Sequence, residues 1–260
     1  MISIQRREKL KQIITERKTI TVNDMAEHFS VSPETIRRDL AVLESEGIVE
    51  KSYGGATLKR RVSSQVSQSE KINFMVNEKS RIAKAAVSFI QPNDCIFMDH
   101  STTVLAICDY LENIPITVIT NSLQVLNKLA GKSHISLQSI GGMFQSRTQA
   151  FWGMETFQYV HEHYFDKAFL SCRCLDLQRG LHDSSEEIAN IHKCIIANSS
   201  MNFLLVDRNK FGRTAFTRVG DLADVDYLIT DSTLSDEWAA NLASKNVHVV
   251  IGEAEPKTAQ

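Results

Sequence analysis

The stretch VSPETIRRDLAVLE, residues 31–44, sets two arginines side by side, Arg37 and Arg38, on a short segment that opens with Ser32-Pro33. Ile36, Leu40 and Leu43 recur at i, i+4 and i+7, the spacing of one apolar helix stripe. At about 100° per residue Arg38 points almost directly away from that stripe, with Glu34, Ala41 and Ser45 near it. Thr35 and Arg37 fall on the two flanks. Ser32 is placed to cap the first free N–H groups, and Pro33 suits a first turn in which its missing N–H costs nothing. The spacing therefore predicts a helix pinned to a core by one face and offering small polar groups and cations on the other. Alone, that pattern also describes an ordinary solvated amphipathic helix.

The neighbouring segments narrow the reading. Upstream, TITVNDMAEHFSVS carries Val22, Met25, Ala26 and Phe29 at helical spacing, with Thr21 as its N-cap. Before it, IQRREKLKQIITERK has Leu10, Ile13 and Ile14 as an apolar face. Two short helices joined by a tight turn and braced by a third describe a helix-turn-helix, whose second helix enters the DNA major groove. After it, in EGIVEKSYGGA, Gly47 ends the helix, Ile48 and Val49 suit a strand, and Gly54-Gly55 can turn a hairpin. That hairpin makes the motif a winged helix-turn-helix and brings Lys51 near a phosphate. The expected DNA contacts are Ser32, Glu34, Thr35, Arg37, Arg38 and Lys51.

The run RREKLKQIITERKTITVNDMAEHFSVSPETIRRDLAVLESEGIVEKSYGGA closely resembles the N-terminal domain of DeoR-type bacterial transcriptional regulators. The serine-to-TIRRDL run followed by a glycine-glycine wing carries the resemblance, which continues through most of the chain.

Charge is distributed in keeping with this. Of 260 residues, those through Arg61 hold 12 Lys/Arg against 9 Asp/Glu, while the remainder holds 17 against 22, for a net charge of −2. The basic excess, modest in size, lies where the DNA-binding motif does. The absence of a long apolar run and of a signal-peptide pattern predicts a soluble, cytoplasmic protein with no membrane partner. Five cysteines in mostly apolar surroundings read as reduced core thiols. Cys172-Arg173-Cys174 lacks the second pair of a zinc site, and His161 and His163 have no evident partners, so neither metal nor cofactor is expected from spacing.

Residues 1–56 thus form a DNA-binding domain, and 57–70, basic and then Ser/Gln-rich, a linker in which Lys59, Arg60 and Arg61 can brush phosphates. From 71 to 254 strand-like runs (CIFMD, ITVIT, ISLQSI, KAFLS, NFLLVD, DYLIT, VHVVI) alternate with helical ones (NEKSRIAKAAVSFI, TTVLAICDYLE, SLQVLNKLA, SEEIANIHKCIIANS, SDEWAANLAS). The fold class is α/β: a mostly parallel sheet with helices on both faces. Ligands of such sheets bind beyond the carboxyl ends of the strands. Small polar residues gather there: Asp99-His100-Ser101-Thr102-Thr103, Thr120-Asn121-Ser122, Gly141-Gly142, and Asp207 through Lys210. The first two groups open helices, where N–H groups and hydroxyls favour an anion. Ser, Thr and Asn are also ordinary helix caps; it is their recurrence at successive strand ends that favours a pocket.

The resemblance implies the same site. DeoR-type sensor domains carry an Asp-x-Gly-Thr-Thr-like loop, then Thr-Asn-Ser, Gly-Gly, and an Asp-x-x-Lys followed by Phe-Gly, matched here by Asp99 to Thr103, Thr120 to Ser122, Gly141-Gly142 and DRNKFGR. It implies a sensor fold resembling ribose-5-phosphate isomerase that takes sugar phosphates or related intermediates. Ser101, Thr102 and Thr103 would then hold the anionic group, Asp99 and Asn121 would contact hydroxyls, and Lys210 would supply a cation. Ser101 replaces the family's usual glycine, His100 stands where a small residue is common, and FLSCRCLD replaces a segment that usually contains glycines. His100 and Arg173 can therefore either contact a second anionic group or be salt-bridged surface residues.

Two functions compete. One is a repressor of a carbohydrate catabolic operon, a homo-oligomer on double-stranded operator DNA released by a small anionic sugar derivative. The other is a sugar-phosphate isomerase carrying a DNA-binding module. The isomerase would need a base, for which Glu186 or Glu187 offers itself, but the acidic loop of those enzymes is absent. The expectation is a regulator and not an enzyme.

Overall fold

A computed structural model describes residues 3–17, 19–45, 48–52, 54–58 and 68–253. The chain divides into two compact units, Met1–Arg61 and Val62–Gln260.

The first unit runs α1 (Ser3–Arg17), β1 (Thr19–Thr21), α2 (Val22–Phe29), α3 (Pro33–Ser45), β2 (Val49–Ser52) and β3 (Gly55–Leu58). The expected stripes converge on one core: Leu10 and Ile14 of α1, Val22, Met25 and Ala26 of α2, and Ile36, Leu40 and Leu43 of α3. Thr21 caps α2 by accepting from Asp24 N–H at 3.1 Å, and Ser32 Oγ accepts from Thr35 N–H at 3.3 Å. Ser30 closes α2 in the left-handed region, φ 53°, which makes the turn between α2 and α3 tight.

β2 and β3 form the expected wing hairpin. Strand β1, which the sequence reading left out, adds to β3 to complete a three-stranded antiparallel sheet. The two wing glycines have separate reasons. Gly54 takes φ +82°, and a Cβ on Gly55 would stand 2.2 Å from the Ile20 carbonyl oxygen, so only glycine lets β1 approach. A buried ion pair that the pattern did not signal, Arg6 Nε to Asp39 Oδ2 at 2.6 Å, ties α1 to α3. The helix-ending role assigned to Gly47 and the phosphate contacts of Lys59, Arg60 and Arg61 lie outside the described residues.

The second unit contains α4 (Gln68–Ile72), α5 (Val76–Val87), β4 (Cys95–Met98), α6 (Thr102–Leu105), β5 (Ile116–Thr120), α7 (Leu123–Leu129), β6 (Ile135–Ser139), β7 (Met143–Gln145), β8 (Ala150–Trp152), α8 (Met154–Glu162), β9 (Phe165–Leu170), β10 (Cys174–Asp176), β11 (Gly180–Asp183), α9 (Glu186–Ala197), β12 (Ser199–Leu205), β13 (Thr217–Gly220), β14 (Tyr227–Thr230), α10 (Asp236–Ser244) and β15 (His248–Ile251). Seven strands form a wholly parallel sheet in the order β15-β14-β12-β9-β4-β5-β6.

Strand periodicity sorts the side chains onto two faces. Ile96, Met98, Val118, Phe169, Phe203 and Leu205 pack with α5, α6 and α7. Phe97, Ile119, Ala168 and Leu170 face Val160 of α8 and Ile188, Ile191 and Ile195 of α9.

Three features depart from the sequence reading. The run TTVLAICDYLE is one α-turn followed by a 3₁₀ turn over Ala106–Asp109, not a continuous helix. The linker assigned to 57–70 overlaps β3 at one end and α4 at the other, where Gln68 is buried. Two small antiparallel sheets, β7-β8 and β10-β11-β13, and helix α8 were not read. Among the described residues no helix is long and apolar enough to cross a membrane. All five cysteines are free.

Candidate effector pocket and DNA-reading face

In the sheet the chain runs outward from β4 through β5 to β6, then returns to β9 beside β4 and continues outward the other way. Strand order therefore reverses between β4 and β9, and the crevice beyond their carboxyl ends is where such sheets bind ligands. Asp99 follows β4 there, and Ser171 follows β9. The Asp99 carboxylate joins the two loops: Oδ1 accepts from Ser101 N–H and Oδ2 from Ser171 N–H, each at 2.7 Å. Lys210, on a 3₁₀ turn after β12, donates to Ser171 Oγ at 2.7 Å. Of the expected effector residues, Asp99 is thus linked to Lys210 through Ser171 at the switch point, while Ser101, Thr102 and Thr103 follow it at the start of α6. Ser101 caps α6 by accepting from Val104 N–H at 3.1 Å.

Thr120, Asn121 and Ser122 lie one strand over, all buried. Two of them serve the fold: Thr120 Oγ1 donates to the Met98 carbonyl and accepts from Ser122 N–H, and Ser122 Oγ caps α7. Asn121 donates to the Phe151 carbonyl at 3.1 Å, but its Oδ1 is buried with no partner among the described residues. An unpaired buried acceptor is costly, so Asn121 has capacity for a ligand donor. Of Gly141 and Gly142, only the second has a packing reason, since a Cβ on Gly141 would meet nothing within 4 Å. The Gly141 carbonyl accepts from Thr156 Oγ1 at 2.7 Å, and a Cβ on Gly142 would stand 2.5 Å from the Trp152 carbonyl oxygen.

The pocket holds more cations than the sequence motifs suggested. Lys71 of α4 has its amine pushed down to about 8, first by burial, then by Arg173 and Lys210. Lys79 of α5 is likewise lowered to about 8, by burial and then by Lys210. Lys79 Nζ donates to the Lys71 carbonyl. Arg173 is depressed by burial and by the neighbouring Arg213. Asp99, Asp183 and Asp207 temper this field, but the cations repel one another, and the arrangement favours an entering anion. Lys71 and Lys79 carried no sequence signal because they sit on helices outside the strand-end loops.

Of the two readings left open for His100 and Arg173, the surface one fails for His100. His100 is 7% exposed, stands edge-on to Trp152 at 4.8 Å, and is held well below the usual imidazole range by burial and by His192, Lys71 and Lys210. Arg173 is partly buried, and its guanidinium has no ion pair among the described residues. The Asp99 carboxyl is pushed up by burial, opposed by His192 and by the donors from Ser101 and Ser171. Glu186 and Glu187, the candidate bases, are exposed, and Glu187 accepts from Gln145 Nε2 at 2.8 Å.

In the first unit, Arg37 and Arg38 stand on α3 with side chains 61% and 80% exposed, and both lean on Glu34, at 3.3 and 3.8 Å. Exposed pairs of this kind are worth little and exchange readily for phosphate or base contacts. Ser32 and Thr35 share a hydroxyl contact of 2.9 Å at the start of the helix. Lys51, expected near a phosphate, is tied to Glu44 at 2.9 Å in the free chain.

A winged helix-turn-helix joined to a parallel α/β domain with a cationic crevice is the plan of a ligand-responsive transcriptional regulator. Residues 6–62 match the DeoR-like helix-turn-helix domain and residues 75–232 the DeoR C terminal sensor domain. The chain belongs to the DeoR family. It is 35% identical over 249 residues, 96% of each chain, to "Uncharacterized HTH-type transcriptional regulator YulB" of Bacillus subtilis. It is 31% identical to the "Lactose phosphotransferase system repressor" of Staphylococcus epidermidis, covering 89% of this chain and 93% of that one. It is 29% identical to the "Putative aga operon transcriptional repressor" of Escherichia coli O157:H7, covering 95% and 93%. A ribose 5-phosphate isomerase A from Methanocaldococcus jannaschii aligns over 51% of this chain and 53% of that one at 17% identity and a TM-score of 0.38, too slight a likeness to argue from.

Proposed function

We propose that the protein represses a carbohydrate catabolic operon and leaves its operator when a phosphorylated or otherwise anionic sugar enters the crevice between β4 and β9. The observation that carries this is the cluster of Lys71, Lys79, Arg173 and Lys210 at the switch point, where two amines are lowered to about 8 in the absence of an anion. An anion there restores the charged forms and relieves the mutual repulsion. The names of the relatives, among them lactose and aga repressors, point to carbohydrate operons.

In this reading Ser101, Thr102, Thr103 and Lys210 bind the anionic group with the added lysines. Asp99 and Asn121 take sugar hydroxyls, while Thr120, Ser122, Gly141 and Gly142 shape the loops. Because α6 is a single turn, its dipole contributes less than the side-chain cations. Residues 1–56 read DNA through Ser32, Glu34, Thr35, Arg37, Arg38 and Lys51. Residues 57–70 link them to the effector and oligomerisation domain, 71–254.

The protein works as a homo-oligomer in the cytoplasm, since two half-sites multiply the weak contact of one winged helix. A surface suited to a second copy is formed by Met143 and Phe144 of β7 with Met154 and Phe157 of α8, exposed by 76%, 41%, 66% and 36%. Effector binding shifts the population toward an arrangement whose helix spacing no longer fits the half-sites, a coupling of about 1–3 kcal/mol. Calorimetric titration of the full chain with matched neutral, phosphorylated and carboxylated sugars tests the effector class. Binding confined to anionic sugars supports the reading; binding of the neutral sugar alone refutes it.

A further inference from the structure

At the switch point between β4 and β9 the fold gathers three potential metal ligands that sequence spacing did not bring together. Asp99 and His100 follow β4, while His192 lies on α9, packed against the other face of the sheet. All three are buried, and their donor atoms lie within 4.8 Å of one another. His192 Nε2 is 3.8 Å from Asp99 Oδ2, beyond hydrogen-bond range.

Two independent features mark these side chains as ligands. His100 Nδ1 and His192 Nε2 are both buried with no hydrogen-bond partner among the described residues. Buried imidazole nitrogens are rarely left so, because each orphan forfeits its hydration without return. Second, the carboxylate is already oriented: each Asp99 oxygen takes one backbone N–H and keeps a lone pair. That is the outer-shell support that metal-ligating carboxylates receive. Trp152 packs edge-on against the His100 ring at 4.8 Å.

We propose that Asp99, His100 and His192 form a binding site for a borderline divalent cation, zinc or cobalt in chemical class, at the floor of the effector crevice. Two imidazoles and one carboxylate suit such ions. Ligands on one zinc stand roughly 3.3–4 Å apart, so side-chain adjustment of about 1 Å brings the three together. Three protein ligands leave a coordination position open toward the crevice, where water or an oxygen of a bound sugar can enter. The nearby Lys71 and Lys210 oppose a dication, so the site binds more weakly than closed four-ligand sites and one carboxylate provides its charge balance.

The test uses the full chain, stripped with chelator and without any sugar, so it is independent of the effector reading. Zn²⁺ is titrated in competition with a chromophoric chelator, and Co²⁺ binding is followed by visible absorption. One equivalent per chain is expected, with the weak bands of nitrogen and oxygen ligands and no intense thiolate charge-transfer band. His100→Ala and His192→Gln, which keeps a nitrogen near the Nε2 position, should each weaken binding at least about tenfold. Cys172→Ser with Cys174→Ser, and His161→Ala with His163→Ala, should leave it unchanged. Thermal melting of each metal-free variant separates ligand loss from misfolding. Absence of saturable uptake, uptake insensitive to both His100→Ala and His192→Gln, or a thiolate spectrum overturns the site. If uptake is absent while anionic sugars still bind, the metal inference alone falls; metal binding without sugar binding removes the effector reading alone.

Discussion

Raising the pH from 7 to 9 is expected to weaken anionic-sugar binding about tenfold for each of Lys71 and Lys79 that serves the anion. Both amines sit near 8 in the ligand-free fold, lowered from 10.5 by burial first and by neighbouring cations second. Such an amine is about nine-tenths protonated at pH 7 and about one-tenth at pH 9. A ligand that needs the charged form therefore loses about 1.4 kcal/mol per lysine over this interval, and about hundredfold in affinity when both are needed. The ligand contributes little, because a phosphate monoester, with its second pKa near 6, is already about nine-tenths dianionic at pH 7. Linkage also fixes a second sign. Between about 8 and 10.5 the unfolded chain binds more protons than the folded one, so the ligand-free domain should gain stability as pH rises through that window. Calorimetry of one sugar phosphate at pH 7, 8 and 9 measures the first effect, with proton uptake read from buffers of different ionisation enthalpy. Lys71→Arg and Lys79→Arg keep their charge across the range and should each flatten the pH profile. Affinity constant from pH 7 to 9, or a dependence untouched by both substitutions, would refute the assignment of these lysines to the anion.

Three further outcomes follow from the geometry. Arg38→Ala should lower the preference for operator over scrambled DNA by about 1–3 kcal/mol, because Arg38 stands opposite the buried stripe, while Arg37→Ala weakens both DNAs alike; competition binding reads the ratio. Gly55→Ala should destabilise the winged unit by about 1–3 kcal/mol, since the added carbon meets the Ile20 carbonyl at 2.2 Å; denaturation of the chain with its far-ultraviolet signal reads the loss. Met143→Glu with Met154→Glu should turn an oligomer into monomers by sedimentation, and an unchanged sedimentation coefficient would exclude that face.

The legible parts of the sequence were those where a local rule has one structural solution. Ile36, Leu40 and Leu43 declared the buried side of α3, and Thr21, Ser101 and Ser122 declared helix starts that the structure caps through their hydroxyls. Runs such as ITVIT and NFLLVD, apolar on both faces, could only be strands covered by helices on each side. What stayed hidden depends on distant pairing. Strands of three residues, such as β7, β8 and β10, carry too little pattern to separate from loop. Thr19–Thr21 became a strand only because Gly55 lets it approach β3. The site was half visible for the same reason. Loops after β4 and β5 and the lysine after β12 announced themselves by motif, but Lys79 and His192 reach the crevice from helices whose sequences read as ordinary amphipathic segments, and Lys71 from a short helix that overlaps the stretch read as linker. His100 looked like a departure from the family pattern, and its burial became evident only in the fold.

Release of the protein from DNA by an anion in this crevice is the step on which the proposed function depends. It is tested most directly by fluorescence anisotropy of labelled operator bound to the full chain, titrated with matched pairs of neutral and anionic sugars. The anionic member of one pair should release the DNA from the unaltered chain. Thr102→Ala with Lys210→Ala should keep operator affinity within about twofold, since neither residue belongs to the winged unit, yet abolish the release. Release by the neutral sugar and not by its anionic derivative, or release that survives the double substitution, would contradict the account.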